Sequence, residues 1–269
     1  MGAFRTENAN LVLPETIREL FKGAVDLILP YRCSVCGSVS DTEERLKDYD
    51  SLYEQIYGTH NGLHICGKCL SCLSSLEEDR RWLLCLSNPM EGDPFPGLAL
   101  YMQFPYKGIV ELIVPRIKFG KRIELARFFG CLLGSSLLAD GIEADLVVPI
   151  PLSKERYDER GFNQAGEIAY PIAKMNDIPF AENCLLRTRN TKRQAKIKNS
   201  VERSMNVSGA FQVNEEWDVT GLTILLVDDV ATSGSTLHEA ALALYNAGAL
   251  KVLCVAFAGN RAIKNAEPF

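Results

Sequence analysis

The chain has 269 residues, of which 47% are hydrophobic, and its formal net charge at pH 7 is −5. This length suits a small module followed by one larger domain, and the composition excludes a disordered or low-complexity chain. The net charge excludes a uniformly basic nucleic-acid-binding protein. No run of about 18 apolar residues is present, and the first ten residues lack the apolar core of a signal peptide. We therefore expect a cytoplasmic protein with no membrane insertion.

Apolar residues recur at helical spacing between residues 14 and 29, with Pro14 near the start of the pattern and Pro30 just after its end. This arrangement predicts an amphipathic packing helix within residues 1–30.

Two CxxC pairs, Cys33 with Cys36 and Cys66 with Cys69, follow in residues 31–86. In a reducing compartment, clustered CxxC pairs hold a metal more often than they form disulfides. Tetrahedral Zn²⁺ takes four such thiolates. The sequence therefore predicts a small cysteine-rich module that binds structural zinc.

Other uses of the cysteines stay open. Cys72 extends the second pair into a run that resembles part of an iron–sulfur motif, but Leu76 occupies the position of its fourth cysteine. The remaining alternative metal ligands are His60, His64, Cys72 and Cys85. Three further cysteines lie in apolar patterns and are predicted to be buried core residues: Cys131, Cys184 and Cys254.

A segment rich in proline and glycine, residues 87–97, predicts a linker, after which strand and helix patterns alternate through residues 98–269. Strands are predicted at 98–104, 145–150, around 183–187, 223–227 and 251–257, and helices at 108–118, 121–139, 163–175 and 235–247. Such alternation predicts an α/β fold with a parallel sheet flanked by helices. Ligands of such sheets bind at the carboxyl ends of the strands.

The segment from residue 223 to residue 247 carries the clearest chemical signal. A buried strand ends in two acids, Asp228 and Asp229, and residues 232–236 (TSGST) then open a helix. Helix N-termini offer unsatisfied N–H groups and the positive end of the helix dipole, so a phosphate can bind there. The alternative is a helix capped by Ser233 or Ser235 beside a solvated strand end.

Residues 227–236 (VDDVATSGST) are similar to the phosphoribosyl-diphosphate signature of type I phosphoribosyltransferases. The resemblance implies that Asp228 and Asp229 contact ribose hydroxyls, and it implies Mg²⁺ as the companion of the diphosphate. The implied contacts of the 5′-phosphate are Ala231, Thr232, Ser233, Gly234, Ser235 and Thr236.

Further motifs narrow the resemblance. Residues 160–164 (RGFNQ), residues 118–120 (KFG), the spaced polar residues from Arg187 onward and the cysteine pairs resemble the competence protein F (ComF) family. This resemblance implies a zinc-binding module before a phosphoribosyltransferase-like domain at residues 98–269. It also implies a role in DNA uptake during natural transformation.

The same resemblance places a pyrophosphate loop at residues 151–156, where Lys154 and Arg156 would contact anionic oxygens. It also implies that the basic segment 187–203, which includes Arg187, Gln194 and Arg203, covers the diphosphate. A nucleic-acid backbone is the rival ligand for these charges.

The leading hypothesis is Mg²⁺-assisted binding of phosphoribosyl diphosphate or a related ribose phosphate, with phosphoribosyl transfer, in DNA uptake or nucleotide metabolism. One alternative is a non-catalytic adaptor that binds single-stranded DNA and proteins of the competence machinery. A second is a ligand-responsive regulator without turnover. The sequence does not identify the acceptor.

Overall fold

The computed structural model of the chain describes residues 32–39, 47–59, 63–76, 82–86, 98–188 and 209–259. The predicted helix within residues 1–30, the predicted linker at 87–97 and most of the predicted basic segment, residues 189–203, lie outside these ranges.

The helices of the described part, numbered in chain order, are α1 Lys47–Tyr57, α2 Gly67–Ser74, α3 Ile109–Lys118, α4 Ile123–Ala139, α5 Lys154–Arg160, α6 Gln164–Met175 and α7 Ser235–Asn246. The strands are β1 Trp82–Leu86, β2 Leu98–Pro105, β3 Leu146–Pro149, β4 Leu185–Arg187, β5 Phe211–Val213, β6 Thr223–Ala231 and β7 Lys251–Gly259. None of these helices has both the length and the apolar character needed to cross a bilayer.

Five strands form the main sheet in the order β1-β2-β7-β6-β3. Strands β2, β7, β6 and β3 are parallel to one another, and β1 pairs antiparallel with β2. The predicted α/β fold is therefore confirmed. The antiparallel edge strand β1 and the short strand β5 were not predicted from the sequence. Strands β4 and β5 form a separate antiparallel pair.

Strand β6 shows why the sheet is buried on both faces. Its residues 224–227 are all buried, and they alternate between two cores. Leu225 and Val227 belong to the core that contains α4 and α6, while Ile224 and Leu226 belong to the core that contains α7. A continuous apolar run of this kind is typical of parallel strands covered by helices on both sides.

Helices α4 and α6 pack closely because a glycine lies between them. A Cβ atom on Gly130 would stand 2.4 Å from the carbonyl oxygen of Ile168 and 2.5 Å from Cγ of Pro171. Pro171 lies inside α6, and Pro115 lies inside α3, and both helices continue through their proline.

The cysteine-rich segment contributes to the same core. The ring of Tyr49 on α1 stands edge-on to Phe128 on α4, with centroids 4.7 Å apart. Leu63, Ile65 and Leu73 are also buried in this core, which extends to the sheet. The segment is thus packed against the domain that carries the sheet.

Candidate functional site

A pocket of about 250 Å³ opens at the carboxyl ends of β3 and β6. Its walls come from the end of β6 and the start of α7, from the loop after β3, from the end of α3 and from the start of α6. The position agrees with the expectation that ligands of parallel sheets bind at the carboxyl ends of the strands.

The turn between β6 and α7 forms one wall. Gly234 takes φ 74° and ψ −8°, a left-handed conformation that glycine adopts without steric cost, and α7 begins at the next residue. The hydroxyl oxygens of Ser233 and Ser235 lie 2.9 Å apart. No side chain caps α7, so the alternative of a serine cap is not what the structure shows. Residues 231–236, predicted to bind a phosphate, all line the pocket.

The two predicted acids lie at the base of this turn, where β6 ends. The backbone N–H of Asp229 donates to Oδ1 of Asp228 at 2.8 Å, and Nζ of Lys118 lies 2.9 Å from Oδ2 of Asp229. Burial, reinforced by the neighbouring Asp229 charge, raises the pKa of Asp228 well above the ordinary value of an aspartate, while Lys118 acts in the opposite direction. The pair therefore offers carboxylate oxygens that hydroxyl groups or a hard cation would stabilise.

Helix α5 and strand β4 bring cationic side chains to the pocket. Arg156 on α5 and Arg187 on β4 both line it, and Nη1 of Arg187 donates to the carbonyl of Pro151 at 3.4 Å. Burial, with the nearby Arg156 charge, lowers the pKa of Arg187 to about 10, so that Arg187 is still cationic at neutral pH. Ser153 caps α5 by accepting a hydrogen bond from the N–H of Arg156.

Of the three other predicted anion contacts, only Lys154 belongs to the described residues. Lys154 is exposed at the start of α5 and is absent from the residues that line the pocket. Gln194 and Arg203 fall outside the described residues.

The pocket also contains residues that sequence analysis did not assign to the site. Lys118, Arg160, Asn163 and Gln164 all line it. Arg160 donates to Oε1 of Gln164, and Nδ2 of Asn163 donates to the carbonyl of Ile150 at 3.1 Å. All four residues belong to the motifs at 118–120 and 160–164. These motifs indicated a family, but no role in the site was predicted for their residues.

The four predicted zinc ligands form a second cluster. The Sγ atoms of Cys33, Cys36, Cys66 and Cys69 all lie within 4.8 Å of one another, and those of Cys36 and Cys66 are 3.7 Å apart. Thiolates bound tetrahedrally at 2.3 Å from a metal would be about 3.8 Å apart. The cluster therefore has the dimensions of a four-thiolate metal site.

Backbone geometry supports this arrangement. The N–H groups of Cys36 and Cys66 both point to Sγ of Cys33, at 3.5 and 3.4 Å, and Gly37 supplies a left-handed turn with φ 78°. Among the alternative ligands, Cys72 and His64 are described and lie outside the cluster. His60 and the side chain of Cys85 are outside the described part of the chain.

The three cysteines predicted to be core residues are buried. Cys131, Cys184 and Cys254 are each at most 2% exposed, and burial raises the pKa of all three thiols. They are neutral packing residues at physiological pH.

Comparison with known proteins places the chain in a family. Residues 128–267 match the family model described as the phosphoribosyl transferase domain. The chain is 28% identical over 225 residues to the DNA utilization protein YhgH of Escherichia coli K12, covering 82% of this chain and 86% of that protein. It is 32% identical over 164 residues to YhgH of Salmonella typhimurium, covering 59% and 71%, and 34% identical over 146 residues to competence protein ComFC of Bacillus subtilis, covering 54% and 57%. The chain therefore belongs to the phosphoribosyl transferase domain family, as a type I phosphoribosyltransferase-like protein of the ComF family.

Proposed function

We propose that the chain binds phosphoribosyl diphosphate together with Mg²⁺ in the pocket beside β6, and transfers the phosphoribosyl group to an acceptor. The observation that carries this proposal is the meeting of three features in one pocket. These are the helix start at Gly234, the acid pair Asp228–Asp229, and the arginines Arg156 and Arg187.

Each feature matches one part of the ligand. The N–H groups and hydroxyls of residues 231–236 would bind the 5′-phosphate. Asp228 and Asp229 would accept hydrogen bonds from the ribose hydroxyls, and the two arginines would contact the diphosphate. Mg²⁺ prefers oxygen ligands, usually keeps several waters and binds through one or two carboxylates plus phosphates. The acid pair is suited to that donor set.

The transfer breaks the bond between ribose C1 and the diphosphate oxygen, and the diphosphate leaves with the electron pair. The acceptor forms its bond to C1 with a nitrogen lone pair and releases a proton to solvent. When bound, Mg²⁺ would neutralise charge on the leaving diphosphate. The chain's own residues would act by holding the ribose and phosphate groups in place and by placing positive charge near the diphosphate, so no protein nucleophile is required.

For the cysteine cluster, we infer that the metal is zinc in a structural role. Four thiolates with no open position are typical of structural zinc sites. The cluster lies in the core shared with α3 and α4, so its metal would stabilise the packing of the described part of the cysteine-rich segment.

The names of the relatives, a DNA utilization protein and a competence protein, support a place in DNA uptake or use. Within that process the same pocket would serve either an enzyme or a ligand-responsive adaptor. Turnover distinguishes these two functions. An enzyme releases diphosphate when a suitable nucleobase or amine acceptor is supplied, and an adaptor does not.

The first experiment measures thermal unfolding of the zinc-loaded protein with and without phosphoribosyl diphosphate and Mg²⁺. Ligand at about 100 times its dissociation constant should stabilise the native state by about 2.7 kcal/mol. The double variant Asp228→Asn, Asp229→Asn should lose this shift.

The matched control is Glu143→Gln, Asp177→Asn, since these two acids lie near Thr223, at the end of β6 opposite to the pocket. This variant should keep the full shift. A folded wild-type protein that shows no shift at millimolar ligand would contradict the proposed function.

A further inference from the structure

Lys118 forms an ion pair with Asp229, one of the two acids of the pocket. Its Nζ atom lies 2.9 Å from Oδ2 of Asp229, and the side chains are only 21% and 14% exposed. The pair is therefore partly shielded from solvent, and its strength exceeds that of a fully exposed salt bridge.

The fold fixes the base of this lysine. Helix α3 is anchored by buried Ile113 and Ile117, and Lys118 is its last residue. The chain then passes close to the last turn of the helix at Gly120, where a Cβ atom would stand 2.6 Å from the carbonyl oxygen of Arg116. A cation in the last turn also interacts favourably with the helix dipole. The ammonium of Lys118 therefore reaches the pocket from a helix that packing holds in place.

Two other cations of the pocket donate hydrogen bonds to neutral groups. Arg187 donates to the carbonyl of Pro151, and Arg160 donates to Gln164. Lys118 differs because its contact is with one of the acids that the proposed ligand and its Mg²⁺ would use. A lysine ammonium is a compact charge on a flexible stem, so it can leave a carboxylate without a backbone change.

We propose that Lys118 is a positioning residue that holds Asp229 in the ligand-free protein and competes with Mg²⁺ for the acid pair, so that it sets the Mg²⁺ concentration at which the phosphoribosyl ligand binds. This inference rests on the proposed function. In the ligand-free state the ammonium is paired with the carboxylate of Asp229. When Mg²⁺ and ligand bind, the ion pair must open, and the cost of opening it raises the Mg²⁺ requirement.

The test is isothermal titration of phosphoribosyl diphosphate into the zinc-loaded protein over a series of Mg²⁺ concentrations. In Lys118→Met, which keeps the length of the side chain and removes its charge, the Mg²⁺ midpoint for ligand binding should fall by about fivefold. Lys118→Arg keeps the charge and should stay within about twofold of wild type. Lys251→Met, the same charge change at the exposed start of β7, should match wild type.

A wild-type protein that binds the ligand, with an unchanged midpoint in folded Lys118→Met, overturns the inference and leaves the proposed function standing. An equal shift in Lys118→Arg also overturns it, because charge is then not the cause. If Lys118→Met does not fold, Lys118→Gln, which also removes the charge, takes its place with the same expected and contradicting results. Wild-type protein that binds no ligand at any Mg²⁺ concentration contradicts the proposed function, and the inference fails with it.

Discussion

Arg127 on α4 donates a hydrogen bond of 2.8 Å from Nη1 to the hydroxyl group of Tyr53 on α1. The same guanidinium donates from Nε to Glu167 on α6 at 2.7 Å, and it lies 4.4 Å from the centroid of the Tyr57 ring. One partly buried cation therefore fastens the cysteine-rich segment to two helices of the phosphoribosyltransferase domain.

Replacing this cation should loosen that junction. We expect Arg127→Met to lower the free energy of unfolding by about 2 kcal/mol, because Glu167 loses its partner in a half-buried site. Tyr53→Phe removes only one hydroxyl and should cost about 1 kcal/mol. Urea unfolding followed by circular dichroism measures both. Loss of less than about 0.5 kcal/mol in Arg127→Met would show that the junction does not depend on this contact.

The raised pKa of Asp228 predicts a pH-dependent stability. The folded protein keeps a proton on this carboxyl at pH values where the unfolded chain has released it, so wild-type stability falls as pH rises from about 4 through the raised pKa. Asp228→Asn does not titrate. Without ligand, this variant should therefore be more stable than wild type at pH 8. The difference should be at least about 1 kcal/mol for each unit by which folding raises the pKa of Asp228, and it should vanish below pH about 4.

The control for this prediction is Asp218→Asn. Hydrogen bonds from Thr220 lower the pKa of the exposed Asp218, so its substitution should change stability in the opposite direction, if at all. Thermal unfolding across pH 4 to pH 8 gives the comparison. An Asp228→Asn variant that is less stable than wild type at pH 8 would contradict the burial argument.

The close packing of α4 against α6 leaves no room for a side chain at Gly130. A methyl group there would meet the backbone of Ile168, which cannot move aside as a side chain can. We expect Gly130→Ala to destabilise the protein by about 1–3 kcal/mol. Gly166→Ala is the matched control, since its nearest neighbour is an ordinary contact at 3.5 Å, and alanine favours a helix. Chemical denaturation of the two variants should give effects of opposite sign.

The cysteine cluster predicts one zinc ion per chain by elemental analysis. Cys33→Ser should remove the ion and lower the midpoint of thermal unfolding, because Cys33 is buried and its sulfur accepts two backbone N–H groups. Cys72→Ser should keep the ion, since Cys72 lies outside the cluster and is exposed. A chelator should reproduce the effect of Cys33→Ser. Purified protein that holds iron instead would contradict the zinc assignment.

Much of the domain could be predicted from local sequence. Every strand and helix predicted between residues 98 and 257 is present, because buried parallel strands and amphipathic helices leave strong apolar patterns. Strand β6 runs on to Ala231, through both acids. The turn after β6 and the cysteine quartet also have the arrangement that the sequence predicts, since their members lie close together or in repeated pairs.

The features that were missed either have no apolar pattern or depend on contacts between distant segments. Helix α5 contains seven residues, none of them buried, so it has no apolar periodicity to detect. The ion pair between Lys118 and Asp229 joins residues that are far apart in sequence, and only the packing of α3 against the sheet brings them together. Strand β1 likewise becomes visible only through its pairing with β2.

That edge strand has a practical consequence. With Trp82–Leu86 in place, residues 98–102 of β2 have a strand partner on their outer side. A fragment that starts at residue 98 would present these five residues of a mostly buried strand as an open edge. Open, apolar edges pair with strands of other molecules, so such a fragment should self-associate in solution even though it keeps every residue of the pocket.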